Sequence, residues 1–355
     1  MNLLFLTDEL NYADGVSTQL FYLLSGLKKK KNLKISLICS GGDAGEKFLA
    51  AGIDVVTDEN LNHRSRSIKG FLSALRSVAG HCKANSVNII HSHNHYAANI
   101  ASTSLKIRLS GNIRTVQTVH GIIPETGKLD HLSASAYISV NDHVYKYLKD
   151  KIRDEKKINL IYNGIDTGEN KDKKYNSRLK FISAGRLDKG KRVEIFIKAV
   201  SMLPDSIREK ADFMIAGDGE KYAALKKLDE DLNTGIEFTG QINDLRKFFK
   251  DCDVYVMTSG SEGLPMTILE AAAEKVMVIS AAFDGIENII KDNSEGLIFP
   301  VDNADELSEK IRFTIENPET VITLTGNFYR SAAVKFDSDL MAGKYYELYK
   351  KLLIQ

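Results

Sequence analysis

Two glutamates, Glu262 and Glu270, stand in the stretch Ser259-Gly260-Ser261-Glu262-Gly263-Leu264-Pro265-Met266-Thr267-Ile268-Leu269-Glu270-Ala271-Ala272-Ala273. A carboxylate accepts hydrogen bonds from two hydroxyls at once, so each suits a polyhydroxylated ligand. Pro265 has no amide proton to leave unpaired and fits the first turn of a helix. The amides of Gly263, Leu264 and Met266 would then crown a helix N-terminus, where free donors and the dipole favour a phosphate or a hydroxyl. Glu262 falls in the preceding loop, and Glu270 sits about one and a half turns into the helix. Without other signals the same residues would read as a surface loop and a salt-bridged helical glutamate.

A second stretch, Phe181-Ile182-Ser183-Ala184-Gly185-Arg186-Leu187-Asp188-Lys189-Gly190-Lys191-Arg192-Val193, reads as a strand, a basic turn and a helix start. Arg186 and Lys191 are its candidate anion-binding cations, with Lys189 a competing lysine. Thr118-Val119-His120-Gly121 ends another strand, and His120 can donate a hydrogen bond or stabilise developing charge; a satisfied buried histidine is the alternative. In His91-Ser92-His93-Asn94-His95 alternate histidines share one face and could ligate zinc, but no cysteine or carboxylate is adjacent. No metal site is assigned. Cys39, Cys82 and Cys252 stand singly, without the spacing of a disulfide framework or a zinc cluster, and read as buried thiols.

These residues must be held by a sheet, because short apolar runs recur with a helical pattern after each. In the first half they are 2–6, 33–39, 53–57, 87–91, 113–119, 136–140 and 158–162; in the second, 179–184, 212–217, 236–239, 254–258, 276–280 and 296–299. Such alternation predicts two doubly wound parallel sheets. The expected domains are 1–165 and 179–335, joined by a polar, lysine-rich linker at 166–178. A terminal helix at 336–355, carrying Leu340, Tyr345, Leu348 and Leu352, would pack back towards the first domain. Ligands of open parallel sheets bind beyond the carboxyl ends of the strands, so the loops named above are where chemistry is expected, in a cleft between the two domains.

A length of 355 residues with 43% hydrophobic and 27% charged residues fits two such domains, and excludes a single small module or a disordered chain. The longest apolar runs fall short of the roughly 20 residues of a membrane span. Met1 to Leu10 has no basic region and already carries Asp8 and Glu9, which argues against a secretory signal and for the cytoplasm. Charge is uneven: residues 1–165 hold 21 Lys/Arg against 14 Asp/Glu, and residues 166–355 hold 27 against 33. No acidic residue occurs from Asn60 to Pro124, where Arg64, Arg66, Lys69, Arg76, Lys83, Lys106, Arg108 and Arg114 fall. That predicts a positive surface for an anionic partner.

The glutamate string resembles the E-x7-E signature of the retaining glycosyltransferases of family four, whose architecture is GT-B: two Rossmann-like domains facing each other across a cleft. The resemblance implies that Glu262 contacts hydroxyls of the donor sugar, that Glu270 holds the ribose, and that the backbone of Gly263, Leu264 and Pro265 helps bind the donor. The basic turn resembles the family's G-R-L…K-G segment, which implies that Arg186 and Lys191 grip the donor diphosphate; Arg192 stands where the family usually has glycine. Gly15-Val16, at the start of a helix near Val16, resembles the G-G-V turn under the donor phosphates, with Asp14 in place of the first glycine. His120 resembles the histidine beside the transferred sugar. Asn163-Gly164-Ile165-Asp166 resembles the turn leading into the interdomain linker, and Gly217-Asp218-Gly219 the family's G-x-G turn. Phe238 to Ile242 ends a strand where the family places its nucleotide base, which implicates Ile242.

The resemblance implies a hexosyltransferase that moves a sugar from a nucleotide-diphosphate donor, a UDP-sugar first of all, to a glycan or polyprenyl-linked acceptor in polysaccharide or glycolipid assembly. It implies no cofactor, no metal and no nucleic acid. Glu262, His120, Arg186 and Lys191 are the catalytic candidates, and neither glutamate is assigned as a covalent nucleophile. The stretch Ser67 to Lys83, with Ile68, Phe71, Leu72, Leu75 and Val78 on one side, suits peripheral docking at the anionic inner face of a membrane, or else core packing beneath solvated cations. The rival readings are a sugar-nucleotide phosphorylase or hydrolase on the same fold, and a non-catalytic subunit that binds sugar nucleotide.

Overall fold

A computed structural model of the protein describes residues 1–12, 14–106, 113–122, 133–168 and 173–354. Arg108 and Pro124 of the acid-free stretch, and residues 169–172 of the expected linker, lie outside the described residues. The chain divides into two compact units, Met1–Gly164 with Ser338–Gln355, and Ile165–Asp337.

The first unit is built on seven parallel strands: β1 (Asn2–Leu6), β2 (Lys34–Cys39), β3 (Asp54–Thr57), β4 (Ile89–Ser92), β5 (Arg114–Val119), β6 (Ala136–Ser139) and β7 (Ile158–Leu160). Their order across the sheet is β3-β2-β1-β4-β5-β6-β7. Both faces are covered, which is why the central strands read as unbroken apolar runs; Leu3, Leu4, Phe5 and Leu6 are all buried. One face carries helix Gly15–Lys28 through Leu20, Leu23, Leu24 and Leu27, together with Met341, Tyr345 and Tyr349 of helix Ser338–Ile354. Leu348 and Leu352 of that terminal helix are buried too, whereas Leu340 faces out. On the opposite face, helix Ile68–Ala84 sends Leu75, Val78 and Cys82 into the core with Ile90 and Ile100.

The second unit has six parallel strands: β8 (Leu179–Ala184), β9 (Ala211–Ala216), β10 (Glu237–Gly240), β11 (Val254–Met257), β12 (Met277–Ala281) and β13 (Leu297–Phe299), in the order β10-β9-β8-β11-β12-β13. Its core joins Phe181, Phe196, Phe213, Val254, Val256 and Ile279. Strand order reverses between β1 and β4 in the first sheet and between β8 and β11 in the second. At such a switch point the loops leaving neighbouring strands diverge to opposite faces and open a crevice at the carboxyl edge. Cys39, Cys82 and Cys252 are buried thiols, and burial pushes Cys82 and Cys252 up to about 12.

Candidate functional site

In the second unit the loops after β8 and β11 meet at the switch point. They line a cleft of ≈ 690 Å³ with Arg186, Asp188, Lys189, Gly190, Lys191, Gly219, Glu220, Ser261 and Glu262. Lys191 Nζ lies 2.6 Å from Glu262 Oε1, with 32% of the lysine and 16% of the glutamate side chain exposed. The Lys191 backbone is fixed separately, since its carbonyl accepts the Thr258 hydroxyl at 2.7 Å. Arg186 Nε donates to Asp188 Oδ2 at 2.6 Å, and Asp188 Oδ1 accepts the amides of Gly190 (2.9 Å) and Lys191 (3.2 Å). Burial pushes the Asp188 carboxyl up, but the Arg186 guanidinium and these amides outweigh it and hold the group below its ordinary value. The basic turn is thus wrapped around one carboxylate that the sequence reading did not single out.

The loop after β9 completes the cleft floor. Leu187 N donates to Asp218 O at 2.9 Å and Lys221 N to Leu187 O at 2.9 Å, so the two turns are laced backbone to backbone. Only glycine permits this approach: a Cβ on Gly217 would fall 1.9 Å from the Gly185 carbonyl oxygen, and one on Gly219 2.4 Å from that of Leu187. Arg192 adopts φ 51°, a left-handed conformation that costs a side-chain-bearing residue roughly 1 kcal/mol or more. Glycine would adopt this conformation without that cost. Here the arginine is tied by its guanidinium to Asp302 at 2.7 Å and lies against Gly260.

The helix after β11 runs Met266–Ala273, and Pro265 occupies its N-cap position with ψ 119° rather than the expected first turn. A proline N-cap offers no side-chain acceptor, so Pro265 itself makes no side-chain bond to the helix amides. Glu270 is the fifth helical residue and half-buried. Beneath both glutamates, Tyr255 of β11 is hydrogen-bonded to Thr267 Oγ1 at 3.0 Å. Burial raises the Tyr255 pKa first; the Thr267 bond opposes this, and the charges of Glu262 and Glu270 add to it. Tyr255 therefore stays a neutral hydroxyl between the loop and the helix. Ile242 lies in the loop after β10, half-buried and outside the cleft lining.

In the first unit, Gly15 is the first residue of its helix, and Val16 the second. Asp14, at the position of the missing glycine, is the N-cap: its Oδ2 accepts the Ser17 amide at 3.0 Å and hydroxyl at 2.9 Å. A carboxylate already occupies this helix end, which explains how the chain dispenses with a second glycine. His120 follows β5, and its Nε2 lies 3.2 Å from His93 Nδ1. His91 is engaged at both nitrogens, by Tyr349 Oη at 2.6 Å and by Thr118 Oγ1 at 2.8 Å. Burial pushes His120 down to about 4; burial and then the neighbouring His120 push His91 down to about 3. Among the described residues no group of three or more His, Cys, Asp or Glu could hold a metal ion.

Arg186, Lys191 and Glu262 are thus brought into one cleft, with Gly263, Leu264, Pro265 and Glu270 on the loop and helix that continue from it; Gly15, Val16 and His120 belong to the other unit. Asp188 and Tyr255 escaped the sequence reading, and His93, weighed there only within a zinc run, pairs with His120 instead. The Asp188-x-Gly190 spacing of an Asx turn was the available signal for the first.

Two parallel doubly wound units of this kind define the GT-B class. The fold of HepE from Anabaena, solved in complex with UDP and glucose, superposes with a TM-score of 0.83 at 17% identity, covering 99% of this chain and 100% of that one. The family described as Glycosyltransferase Family 4 matches residues 13–169, and Glycosyl transferases group 1 matches residues 165–327. The chain belongs to the family-four glycosyltransferases. It is 30% identical over 204 residues to an uncharacterized glycosyltransferase of Methanocaldococcus jannaschii, covering 54% of this chain and 52% of that protein. It is 26% identical over 333 residues to the UDP-Gal:alpha-D-GlcNAc-diphosphoundecaprenol alpha-1,3-galactosyltransferase of Escherichia coli, covering 81% and 84%. The chain spans about half the length of the first of these relatives, and 37% and 42% of two others from Campylobacter jejuni.

Proposed function

We propose that this protein transfers a sugar from a UDP-sugar to a polyprenyl-diphosphate-linked glycan, with retention of anomeric configuration and without a divalent metal. The observation that carries the reading is the convergence of Arg186, Lys191 and Glu262 on one cleft, with Glu262 four residues before the start of helix Met266–Ala273. The UDP bound to HepE and the lipid-linked acceptor in the name of the Escherichia coli relative support the choice of donor and acceptor.

In the cleft Arg186 and Lys191 are each held by a carboxylate. A diphosphate offers Lys191 and Arg186 a more highly charged partner, and Lys191 turning to it frees Glu262 to accept donor-sugar hydroxyls. Glu270 takes the ribose hydroxyls, and the loop at Ile242 receives the base. As the bond from C1 to the phosphate oxygen breaks, the acceptor oxygen bonds C1 from the same side and its proton passes to the departing phosphate. The two cations and the helix-end amides stabilise the charge that develops on the diphosphate. His120 hydrogen-bonds the transferred sugar.

Arg64, Arg66, Lys69 and Arg76 are exposed in the same stretch as Ile68 and Leu72, which are 83% and 46% exposed, and this stretch would meet anionic lipid on the cytoplasmic side. Leu75 and Val78 of the same helix are core residues, so only its first two turns are available for docking.

A panel of nucleotide sugars, read by thermal stabilisation and by slow donor hydrolysis, tests the proposal. A UDP-sugar at 100 times its Kd should stabilise the protein by about 2.7 kcal/mol, and adding a polyprenyl-diphosphate glycan should convert it to product with retained anomeric configuration. Turnover that needs inorganic phosphate would favour the phosphorylase reading, and binding without any turnover the non-catalytic one; either result would overturn the proposal.

A further inference from the structure

Strands β4 and β5 pair in parallel, with His91 opposite Val116 and Ser92 opposite Gln117. The residues just beyond them, His93 and His120, therefore leave the same sheet edge side by side. Their rings are 5.4 Å apart, with His93 Nδ1 and His120 Nε2 at 3.2 Å. His93 is 3% exposed, and its other nitrogen, Nε2, is shut from solvent without a hydrogen-bond partner among the described residues. His91 lies behind it with ring centres 4.5 Å apart and tilted by 33°, but has both of its nitrogens engaged by Tyr349 and Thr118, so it cannot serve His93.

A neutral imidazole has one donor and one acceptor nitrogen, so the pair can bond in two ways. If His120 Nε2–H donates to His93 Nδ1, the His93 proton must sit on Nε2, a buried N–H with no acceptor. If His93 Nδ1–H donates to His120 Nε2, what remains at His93 Nε2 is an unused lone pair. Orphaned buried N–H groups are rarer and costlier than under-used acceptors. The second arrangement wins, and it places the His120 proton on Nδ1.

We propose that His93 is a positioning residue that holds His120 as its Nδ1–H tautomer, so that His120 presents a hydrogen-bond donor rather than a base. The burial that lowers the pKa of both rings keeps them neutral at physiological pH. The inference rests on the glycosyl-transfer reading for what His120 meets: a donor at this nitrogen suits a sugar hydroxyl oxygen or developing negative charge, and cannot deprotonate the acceptor. It also explains why two histidines are set at neighbouring strand ends, since phenylalanine at 93 would fill the space without fixing a proton.

The test is a two-bond proton–nitrogen correlation spectrum of the full-length protein labelled with 15N-histidine, at pH 7.5. His120 should show a protonated Nδ1 and an unprotonated Nε2. His93→Asn, whose side-chain amide can donate from nearly the Nδ1 position, should keep that pattern. His93→Phe should lose it and lower kcat by ~10-fold or more, with donor KM changed far less. A protonated Nε2 on wild-type His120 overturns the proposal whether or not either variant folds, as does a His93→Phe protein with unchanged spectrum and kcat. The spectrum needs no sugar transfer, so an inactive protein with the expected tautomer would count against the functional reading alone.

Discussion

Replacing Lys191 by alanine separates the two lysines of the basic turn. Lys191 Nζ sits 2.6 Å from Glu262 Oε1 on a side chain that is 32% exposed. Lys189 lines the same cleft but is exposed. In the free protein the change removes one partly solvated ion pair, worth about 1 kcal/mol or less, well below the 5–15 kcal/mol that typically stabilises a folded domain. Folding should therefore survive, with a shift of only a few degrees in Tm. In the reaction the loss is larger. A unit charge about 4 Å from the departing diphosphate contributes ~4 kcal/mol at an effective dielectric of 20, offset in part by breaking the Glu262 pair. A net loss of about 3 kcal/mol corresponds to a fall in kcat of ~10². Lys189→Ala should stay within about threefold of wild type, because its charge is solvated in both states. Steady-state kinetics with saturating donor, paired with thermal unfolding, measures both quantities. If Lys189→Ala is the more damaging change, or Lys191→Ala leaves kcat intact in a folded protein, the placement of charge against the diphosphate is wrong.

Glu270→Ala should raise the donor KM more than it lowers kcat, since ribose binding is common to ground and transition states; unchanged donor affinity in a binding assay would remove that role. Activity should survive EDTA, and a loss restored by a divalent metal would show that the cations and amides do not suffice. Stability should fall in acid, because the folded values of His120 (about 4) and His91 (about 3) lie below the ordinary 6.5. The unfolded chain takes up these protons first, so the contribution is complete above pH 6.5 and is lost between 6.5 and 4 to 3, at about 1.4 kcal/mol per pH unit for each histidine; urea midpoints that do not move between pH 7.5 and 5 would contradict this. Vesicles with anionic lipid should bind the protein better than neutral ones, more weakly in added salt and after changing Arg64, Arg66, Lys69 and Arg76 to Gln, while donor hydrolysis is spared.

The sheets were legible because strands covered on both faces leave continuous apolar runs. Asn2 to Leu6 is β1 and Leu179 to Ala184 is β8, each found where its run stands. The cleft was legible for a related reason: the two strings that looked chemical follow β8 and β11, which are neighbours at the strand-order reversal. What could not be read depends on partners far apart in sequence. The His93–His120 contact needs β4 beside β5, and the neutral Tyr255 needs β11 to lie under helix Met266–Ala273. Asp14 was legible in type but not in role; a substitution in a glycine turn is also an N-cap when a helical amide three residues on reaches its carboxylate. Pro265 shows the same limit of about one residue at helix ends, where N-cap and first-turn positions accept similar sequences.

The arrangement of charge at the second unit's switch point bears on why a site for a diphosphate would be built from ion pairs rather than bare cations. Arg186 and Lys191 share one cleft, and their mutual repulsion would splay the turn if nothing compensated it. Asp188 binds Arg186 and also accepts the turn's own amides, so the carboxylate sets the backbone as well as the charge. Glu262 binds Lys191 from the other loop and draws the two sides of the cleft together before any ligand arrives. The two pairs differ in what they can release. Asp188 is locked into the turn, so Arg186 can add a second partner on its outer nitrogens without losing the first. Glu262 has no such anchor among the described residues, so a diphosphate that draws Lys191 away would leave it with acceptor capacity for the sugar hydroxyls the proposed function assigns to it. On the proposed reading, donor binding and the readiness of Glu262 would be coupled through this one amine, and Glu262→Gln should weaken that coupling: with no charge to hold Lys191, UDP alone should bind as well or better, while the intact UDP-sugar should lose the advantage its sugar hydroxyls confer.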